Sequence, residues 1–366
     1  MTPVTSSSGR SLSQLFVEAA TDAIEDSGVG RIDAIYVGNM MSGFLQNQEH
    51  LGSLMATALG NEGIPSYKVE AACASGGVAT NAGLKAVMSG LEEIVLVGAV
   101  EKMSGYSTPH VTAGLMMAED KARVGATGVT FVGLNAMIAR EYMHKHRISH
   151  ESIAQFPVLC HENALTNSKA QFHKKISVDD VLQSSLVADP LRLYDCSAIG
   201  DGAAALILAP LERARELTDS PVRIVASAIA TDVLSLHQRA EITRFEASRK
   251  AANRAYAAAG LGPDDIDIVE VHDAFSVLGV MALEDLGFAE KGSGVQLLEN
   301  GDCSRGGRLP TNTFGGLKAR GHPVGASGAR LVLTLLKEMK RRNLTTGLAS
   351  ACIGGGQGAA LILECD

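Results

Sequence analysis

The feature that most constrains this chain is an internal repeat. A helical pattern over residues 12–28 stops at Gly28 and leads into the apolar stretch 32–37 (IDAIYV). The same order returns at 247–260 and 266–271 (IDIVEV), with Ile266 lying 234 residues after Ile32. Ala74-Ser75-Gly76 opens a helix leading to a strand at 94–97. Ala326-Ser327-Gly328, 252 residues on, opens one leading to 348–351. GDGAAALIL from Gly200 returns as GQGAALIL from Gly356, with Gly202 and Gly358 separated by 156. Three parallels in one order specify two copies of a βαβ-rich half.

The offset falls from 252 to 156 between the second and third parallels, so 96 extra residues, roughly 103–199, interrupt the first half. This insert is rich in Met, His and Lys and carries a helical stretch at 132–144. It is expected to be a lid or ligand-binding subdomain beside the loops that carry Cys73 and Cys352. The domain reading is 1–102 with 200–215, 103–199, and 216–366. The repeat also exposes a gap. Residues 222–228 open the second half, and at the offset of 234 their counterpart would fall at about −12 to −6. Either the start has been placed too late or the first half lacks its opening strand, which would leave buried sheet backbone unpaired. The first is the simpler account.

At 366 residues the chain can bury a large core, and 46% hydrophobic against 20% charged residues reads as a soluble α/β protein. A net charge of −8 argues against nucleic acid or an anionic membrane as the main partner. A local group of Lys and Arg would still suffice for a phosphorylated small ligand. Cys73, Cys160, Cys196, Cys303, Cys352 and Cys365 form no CxxC pair and no zinc spacing, which suggests a reduced, cytoplasmic setting. The first residues lack an apolar signal region, no apolar run reaches membrane-span length, and Glu364-Cys365-Asp366 is no peroxisomal signal.

Four residues stand where chemistry is done. Cys73 lies at a strand-to-helix junction, where the helix dipole would favour its thiolate and its own N–H could donate to an oxyanion. A packed core thiol is the competing reading, since free Cys is commonly buried. His322 sits on a turn fixed by Pro323, placed to take the proton of Cys73 or simply to face solvent. Cys352 ends a strand before Ile353 and three glycines, whose N–H groups could converge on an oxygen and whose neighbour thiol could act as acid and base. His272 follows the strand 266–271, at the strand end where α/β sites collect, with a satisfied half-buried imidazole as the competing reading. Their spacing is not that of a metal set.

Taken together, ACASG around Cys73, HDAF at 272–275, GHPVGASGAR at 321–330 and CIGGGQG at 352–358 closely resemble the thiolases, over essentially the whole chain. His272 departs from the Asn of the bacterial enzymes and is similar to the sterol-carrier-protein-type branch, which includes archaeal acetyl-CoA acetyltransferases. ATDVLSLHQRAEITRF (230–245) also resembles the archaeal group. The resemblance implies an α/β fold of two βαβαβαββ halves packed as a five-layer α-β-α-β-α sandwich, with the insert as a loop domain.

It also implies a reaction. Cys73, activated by His322, is acylated by one acetyl-CoA, and Cys352 takes the α-proton of a second. His322 and His272 hold the enolate-like oxygen, and the backbone N–H groups of Cys73 and Gly354 hold the tetrahedral oxyanion. No resident cofactor is implied, since coenzyme A is substrate and product. Ser248 matches a position near the pantetheine, and Lys169, Lys174, Lys175 and Arg192 are candidates for the nucleotide end. The family implies a homodimer or homotetramer paired through the strand before Cys73. Archaeal relatives further imply hydroxymethylglutaryl-CoA synthase and an OB-fold/zinc-ribbon protein as partners. Two other readings stand beside this one: a thiolase-fold retro-aldolase, whose members abandon the cysteines, and a non-catalytic scaffold or lipid carrier.

Overall fold

The computed structural model describes residues 1–352 and 356–365. Ten strands are present among the described residues: β1 (Ala34–Gly38), β2 (Ser66–Val69), β3 (Val95–Glu101), β4 (Leu186–Ala188), β5 (Leu191–Arg192), β6 (Gly202–Leu208), β7 (Val222–Thr231), β8 (Ile268–Val271), β9 (Thr346–Cys352) and β10 (Gln357–Cys365). They form two four-stranded sheets, ordered β2-β1-β3-β6 and β7-β10-β9-β8, and the small hairpin β4-β5. In the first sheet β1 runs parallel to β2 and β3, and β6 is antiparallel to β3. The second sheet repeats this: β8 is parallel to β9, which is antiparallel to β10.

A fifth place in each half is held by a single bridge. Thr311 meets Val269 outside β8, and Thr5 meets Asp201 ahead of β6. β3 and β9 are buried along their whole length, as strands covered on both faces must be. The layers are a helix Leu12–Ser27 on the first sheet, the helices Ser75–Ser89 and Ser327–Arg342 between the sheets, and Glu246–Ala259 on the second sheet.

Local sequence accounts for these helices. Leu12, Leu15, Phe16, Ala19 and Ala20 fall on one buried stripe, Ser11 and Gln14 form a reciprocal cap, and Gly28 ends the helix at φ 67°. Gly260, at φ 69°, ends Glu246–Ala259 in the same way. The two central helices meet at their first turns through the small residues of the repeated Ala-Ser-Gly. A Cβ on Gly328 would lie 2.4 Å from the backbone nitrogen of Gly77, and one on Gly76 would lie 2.6 Å from that of Ala329. Only glycine allows that approach.

Glu101 of β3 pairs with Gly202 of β6, so the chain between them is an excursion that returns to its starting point. It carries the helices Thr108–Leu115, Phe131–His146, His150–Ala164 and Val178–Gln183. Phe131, Leu134, Tyr142 and Phe156 share one core with Val277, Leu278 and Met281 of the second half, while Met103 and Val111 pack beside Cys73. The excursion is therefore bolted onto the second half by a common apolar core. No helix among the described residues is long and apolar enough to cross a membrane.

Candidate active site

Cys73 sits in the single turn Ala72–Ala74 that enters the helix Ser75–Ser89. The Ser75 hydroxyl accepts from the Ala71 N–H at 2.9 Å and donates to Ala72 O at 2.6 Å, closing the turn on itself. Ala72 is held at φ 43°, left-handed backbone that a residue with a Cβ adopts at a cost. The matching turn of the other half, Val324–Ala326, enters Ser327–Arg342 and follows His322. The Glu101 carboxylate ties the second of these turns to the loop after β1, accepting from the backbone N–H of Met40, Met41 and Gly325 and from the Asn39 amide. Burial pushes this carboxyl up to about 7, against the pull of those four donors.

Cys352 and His272 come from adjacent strand ends. His272 follows β8 and donates its N–H to Ser350 O of β9 at 3.0 Å. The Cys352 sulfur, at the end of β9, lies 3.5 Å from His272 Nδ1 and 3.7 Å from the His272 carbonyl oxygen. The rings of His272 and His322 stand edge to face with centroids 5.1 Å apart. A ligand-capable atom from each of Cys73, His272 and His322 lies within 4.8 Å of the other two. The four residues, drawn from loops far apart in the chain, thus form one cluster, and all are buried.

Hydrogen bonds decide the tautomer of His322. Its Nδ1 lies 2.7 Å from the Ser327 hydroxyl, which itself donates to Pro323 O at 3.1 Å. The hydroxyl proton being used, Nδ1–H is the donor and Nε2 carries the free lone pair. His272 Nε2 is buried with no hydrogen-bond partner.

Burial makes this pocket neutral. His272 is lowered to about 3, first by desolvation and then by the charges of Lys318 and Arg320. His322 is lowered well below the usual imidazole range by desolvation, His272, Lys318 and Arg320. Desolvation pushes the Cys73 thiol up to about 12, with Glu101 and Glu70 adding to it, and raises Cys352 as well. This corrects the expectation of a helix-stabilised thiolate: removing the sulfur from water outweighs the helix N-terminus, so both thiols rest protonated. Activation must come from transferring the proton to a base in contact.

The comparisons with known proteins bear on the chain as a whole. Residues 1–212 match the family model "Thiolase, N-terminal domain", and residues 228–364 match "Thiolase C-terminal domain-like". The chain belongs to the thiolase family. It is 47% identical over 360 residues to an acetyl-CoA acetyltransferase of Methanothermobacter thermautotrophicus, covering 96% of this chain and 94% of that one. It is 32% identical to human sterol carrier protein 2, over 84% of this chain and 59% of the relative. Among solved structures, the Ltp2-ChsH2(DUF35) aldolase superposes with a TM-score of 0.86 at 26% identity, covering 100% of this chain and 96% of that chain.

Within this thiolase, the remaining candidates take definite places. Ser248 stands in the first turn of Glu246–Ala259, its hydroxyl buried without a partner. It packs against Gly358, the residue paired with Cys352, where any Cβ would lie 2.6 Å from the Ser248 nitrogen. Lys169 is engaged by Met1 O and lies 3.9 Å from Asp22, and Arg192 donates to Ser184 O at 2.7 Å. Lys174 reaches the Tyr194 hydroxyl at 3.1 Å, and Lys175 is exposed. Gly354 lies outside the described residues.

Sequence reasoning missed Glu101 and Ser327. Glu101 had a signal: matching Gly202 to Gly358 places Glu101 and Cys352 at the same strand end of the two halves. Spacing along the chain also spoke against a metal set. In space Cys73, His272 and His322 converge, and one thiol with two neutral imidazoles is a donor set suited to a thiophilic cation such as Zn²⁺.

Proposed function

We propose that this thiolase is an acetyl-CoA C-acetyltransferase, joining two acetyl-CoA into acetoacetyl-CoA, reversibly, through an acyl-Cys73 intermediate. The carrying observation is the single buried cluster formed by Cys73, Cys352, His272 and His322. The archaeal relative at 47% identity supports the substrate assignment.

His322 Nε2 takes the Cys73 proton as the sulfur attacks the thioester carbonyl. The departing coenzyme A sulfur leaves with the proton of Cys352, so Cys352 becomes the thiolate. A second acetyl-CoA then loses its α-proton to Cys352. The carbanion attacks the acyl-cysteine, and the released Cys73 sulfur recovers its proton from His322. His272 Nε2 is the ring atom without a protein partner, and in the tautomer that carries its proton there the ring has an N–H to give. That N–H is poised for the thioester oxygen as it becomes enolate-like. The Cys73 backbone N–H, with Gly354, serves the tetrahedral oxyanion, and the orphaned Ser248 hydroxyl serves the pantetheine.

The halves 1–102 with 200–215 and 216–366 would supply these residues, and the excursion 103–199 the acyl-CoA channel. β2, an edge strand exposing Tyr67, suits pairing with a second copy in a dimer or dimer of dimers in the cytoplasm. Hydroxymethylglutaryl-CoA synthase as acceptor of the product, through an OB-fold/zinc-ribbon protein, completes the reading. The Ltp2-ChsH2(DUF35) relative, which carries a second component in its own description, supports such a companion.

The same relative raises an aldolase reading, which needs neither cysteine. Incubation with acetoacetyl-CoA and coenzyme A separates them. Acetyl-CoA is expected, and a Cys73→Ser variant should form none. An enzyme that yields no acetyl-CoA, or whose variant still does, defeats the proposal.

A further inference from the structure

Three of the four clustered residues also form a donor set that acyl transfer does not use as such. Among the described residues, Cys73, His272 and His322 are the only group of His, Cys, Asp and Glu side chains whose ligand atoms come this close, all within 4.8 Å of one another. Around a tetrahedral Zn²⁺, a sulfur at about 2.3 Å and a nitrogen at about 2.1 Å stand about 3.6 Å apart. The donors therefore need to draw in by about 1.2 Å at most, which small rotations of the side chains supply.

Both imidazoles are prepared for a metal ion. His322 donates Nδ1–H to the Ser327 hydroxyl at 2.7 Å, and that hydroxyl donates to Pro323 O at 3.1 Å, so Nε2 keeps its lone pair. A metal-bound histidine has its other ring nitrogen fixed by a hydrogen bond in this way. His272 Nε2 is buried and has no partner in the protein, while Nδ1 lies 3.5 Å from the Cys352 sulfur. In the tautomer with the proton on Nδ1, that N–H faces Cys352 and the Nε2 lone pair is free. This is the reverse of the form that serves the enolate-like oxygen, so a metal ion and the thioester compete for one ring atom.

The donors select the ion. Mg²⁺ and Ca²⁺ take six or more oxygen ligands, and the cluster offers none from a side chain. One thiolate with two neutral imidazoles suits a borderline-soft ion such as Zn²⁺. The surrounding charges oppose one another: Glu101 and Glu70 act on Cys73, and Lys318 and Arg320 act on both imidazoles. Three protein ligands leave a fourth place open to water.

We propose that Cys73, His272 and His322 bind Zn²⁺ and that the bound ion shuts the enzyme reversibly. The Cys73 S–H bond breaks, its proton leaves to solvent, an S–Zn bond forms, and no atom changes oxidation state. Cys73 can then no longer attack a thioester, and His322 Nε2 can no longer take a proton. The inhibition rests on the acetyltransferase reading above; the binding of the ion does not.

Co²⁺ reads the site without catalysis, because a thiolate bound to it gives a near-ultraviolet charge-transfer band and tetrahedral ligation intensifies its visible bands. Added to the wild type it should produce both, Zn²⁺ should bleach them, and EDTA should strip either ion. Cys73→Ser should lose the charge-transfer band. Ser327→Ala keeps the ligands but removes the hydroxyl behind His322, and should bind about 10- to 100-fold more weakly. In the wild type, Zn²⁺ should slow alkylation of Cys73 by iodoacetamide and stop acetyl-CoA formation from acetoacetyl-CoA until EDTA is added. A wild type without the bands, or a charge-transfer band that survives Cys73→Ser, overturns the site. Zn²⁺ that protects Cys73 yet leaves acetyl-CoA formation unchanged overturns the inhibition. A protein that shows the bands but forms no acetyl-CoA without metal loses the acetyltransferase reading and keeps the metal site.

Discussion

Removing the Ser327 hydroxyl tests the chemistry at the point where the structure is most explicit. That oxygen is what keeps the His322 proton on Nδ1 and the lone pair on Nε2. In Ser327→Ala the buried Nδ1–H loses its acceptor at 2.7 Å, and an unmet buried donor costs about 1–3 kcal/mol. The imidazole escapes that cost by moving its proton to Nε2, which disarms it as the base for Cys73. Since 1.36 kcal/mol is one decade in rate, acylation should slow roughly 5- to 150-fold. Rapid-mix acylation by labelled acetyl-CoA reads this step directly. Ser327→Thr, which keeps the hydroxyl, should recover most of the rate. Exchange of the α-proton by enzyme already acylated should change little, because that step belongs to Cys352. Acylation by Ser327→Ala at the wild-type rate, or equal losses in both variants, would refute the argument.

Cys352→Ala should still be acylated at Cys73, more slowly for want of the proton given to coenzyme A, yet fail to wash deuterium into the methyl group of acetyl-CoA; normal exchange would remove Cys352 as the base. Gly328→Ala drives a methyl to 2.4 Å from the Gly77 backbone nitrogen, and overpacking of this kind costs about 1–3 kcal/mol, read as a lower urea midpoint. An unshifted midpoint would mean the central helices are not locked there. The lowered His272 carries a pH signature. Its folded value of about 3 lies below the ordinary 6.5, so between those values the unfolded chain binds a proton that the folded chain refuses. Stability must therefore fall as pH drops through that window, by up to about 1.4 kcal/mol per pH unit from this residue. Unfolding free energies of wild type and His272→Asn, measured from pH 6 to pH 4, should diverge with that slope, and parallel curves would contradict it.

Much of the fold was legible because its signals are local. Gly28 and Gly260 end their helices through left-handed φ, and the Ser11–Gln14 cap begins one. The repeated Ala-Ser-Gly marked two helix entries, although not that they touch. Glu101 was passed over because an acidic residue at a strand end resembles any solvated side chain until its four donors are seen. The Cys73 thiolate was expected for a related reason: a helix N-terminus is visible in sequence, whereas the desolvation that outweighs it comes from neighbours far along the chain.

The amino-acid sequence alone determined that this protein is built twice from one unit, that a long excursion breaks the first copy, and which four side chains stand as candidates for the chemistry. These follow from periodicity, turn residues and motif order, which need no distances. Tertiary structure alone decided that Cys352 and Glu101 fill equivalent strand ends in different surroundings, one beside His272 and one clamping loops. It also decided that the pocket rests neutral and which nitrogen of His322 is free. Protonation and tautomer depend on burial and on partners drawn together by the sheets, and no stretch of chain carries that information by itself.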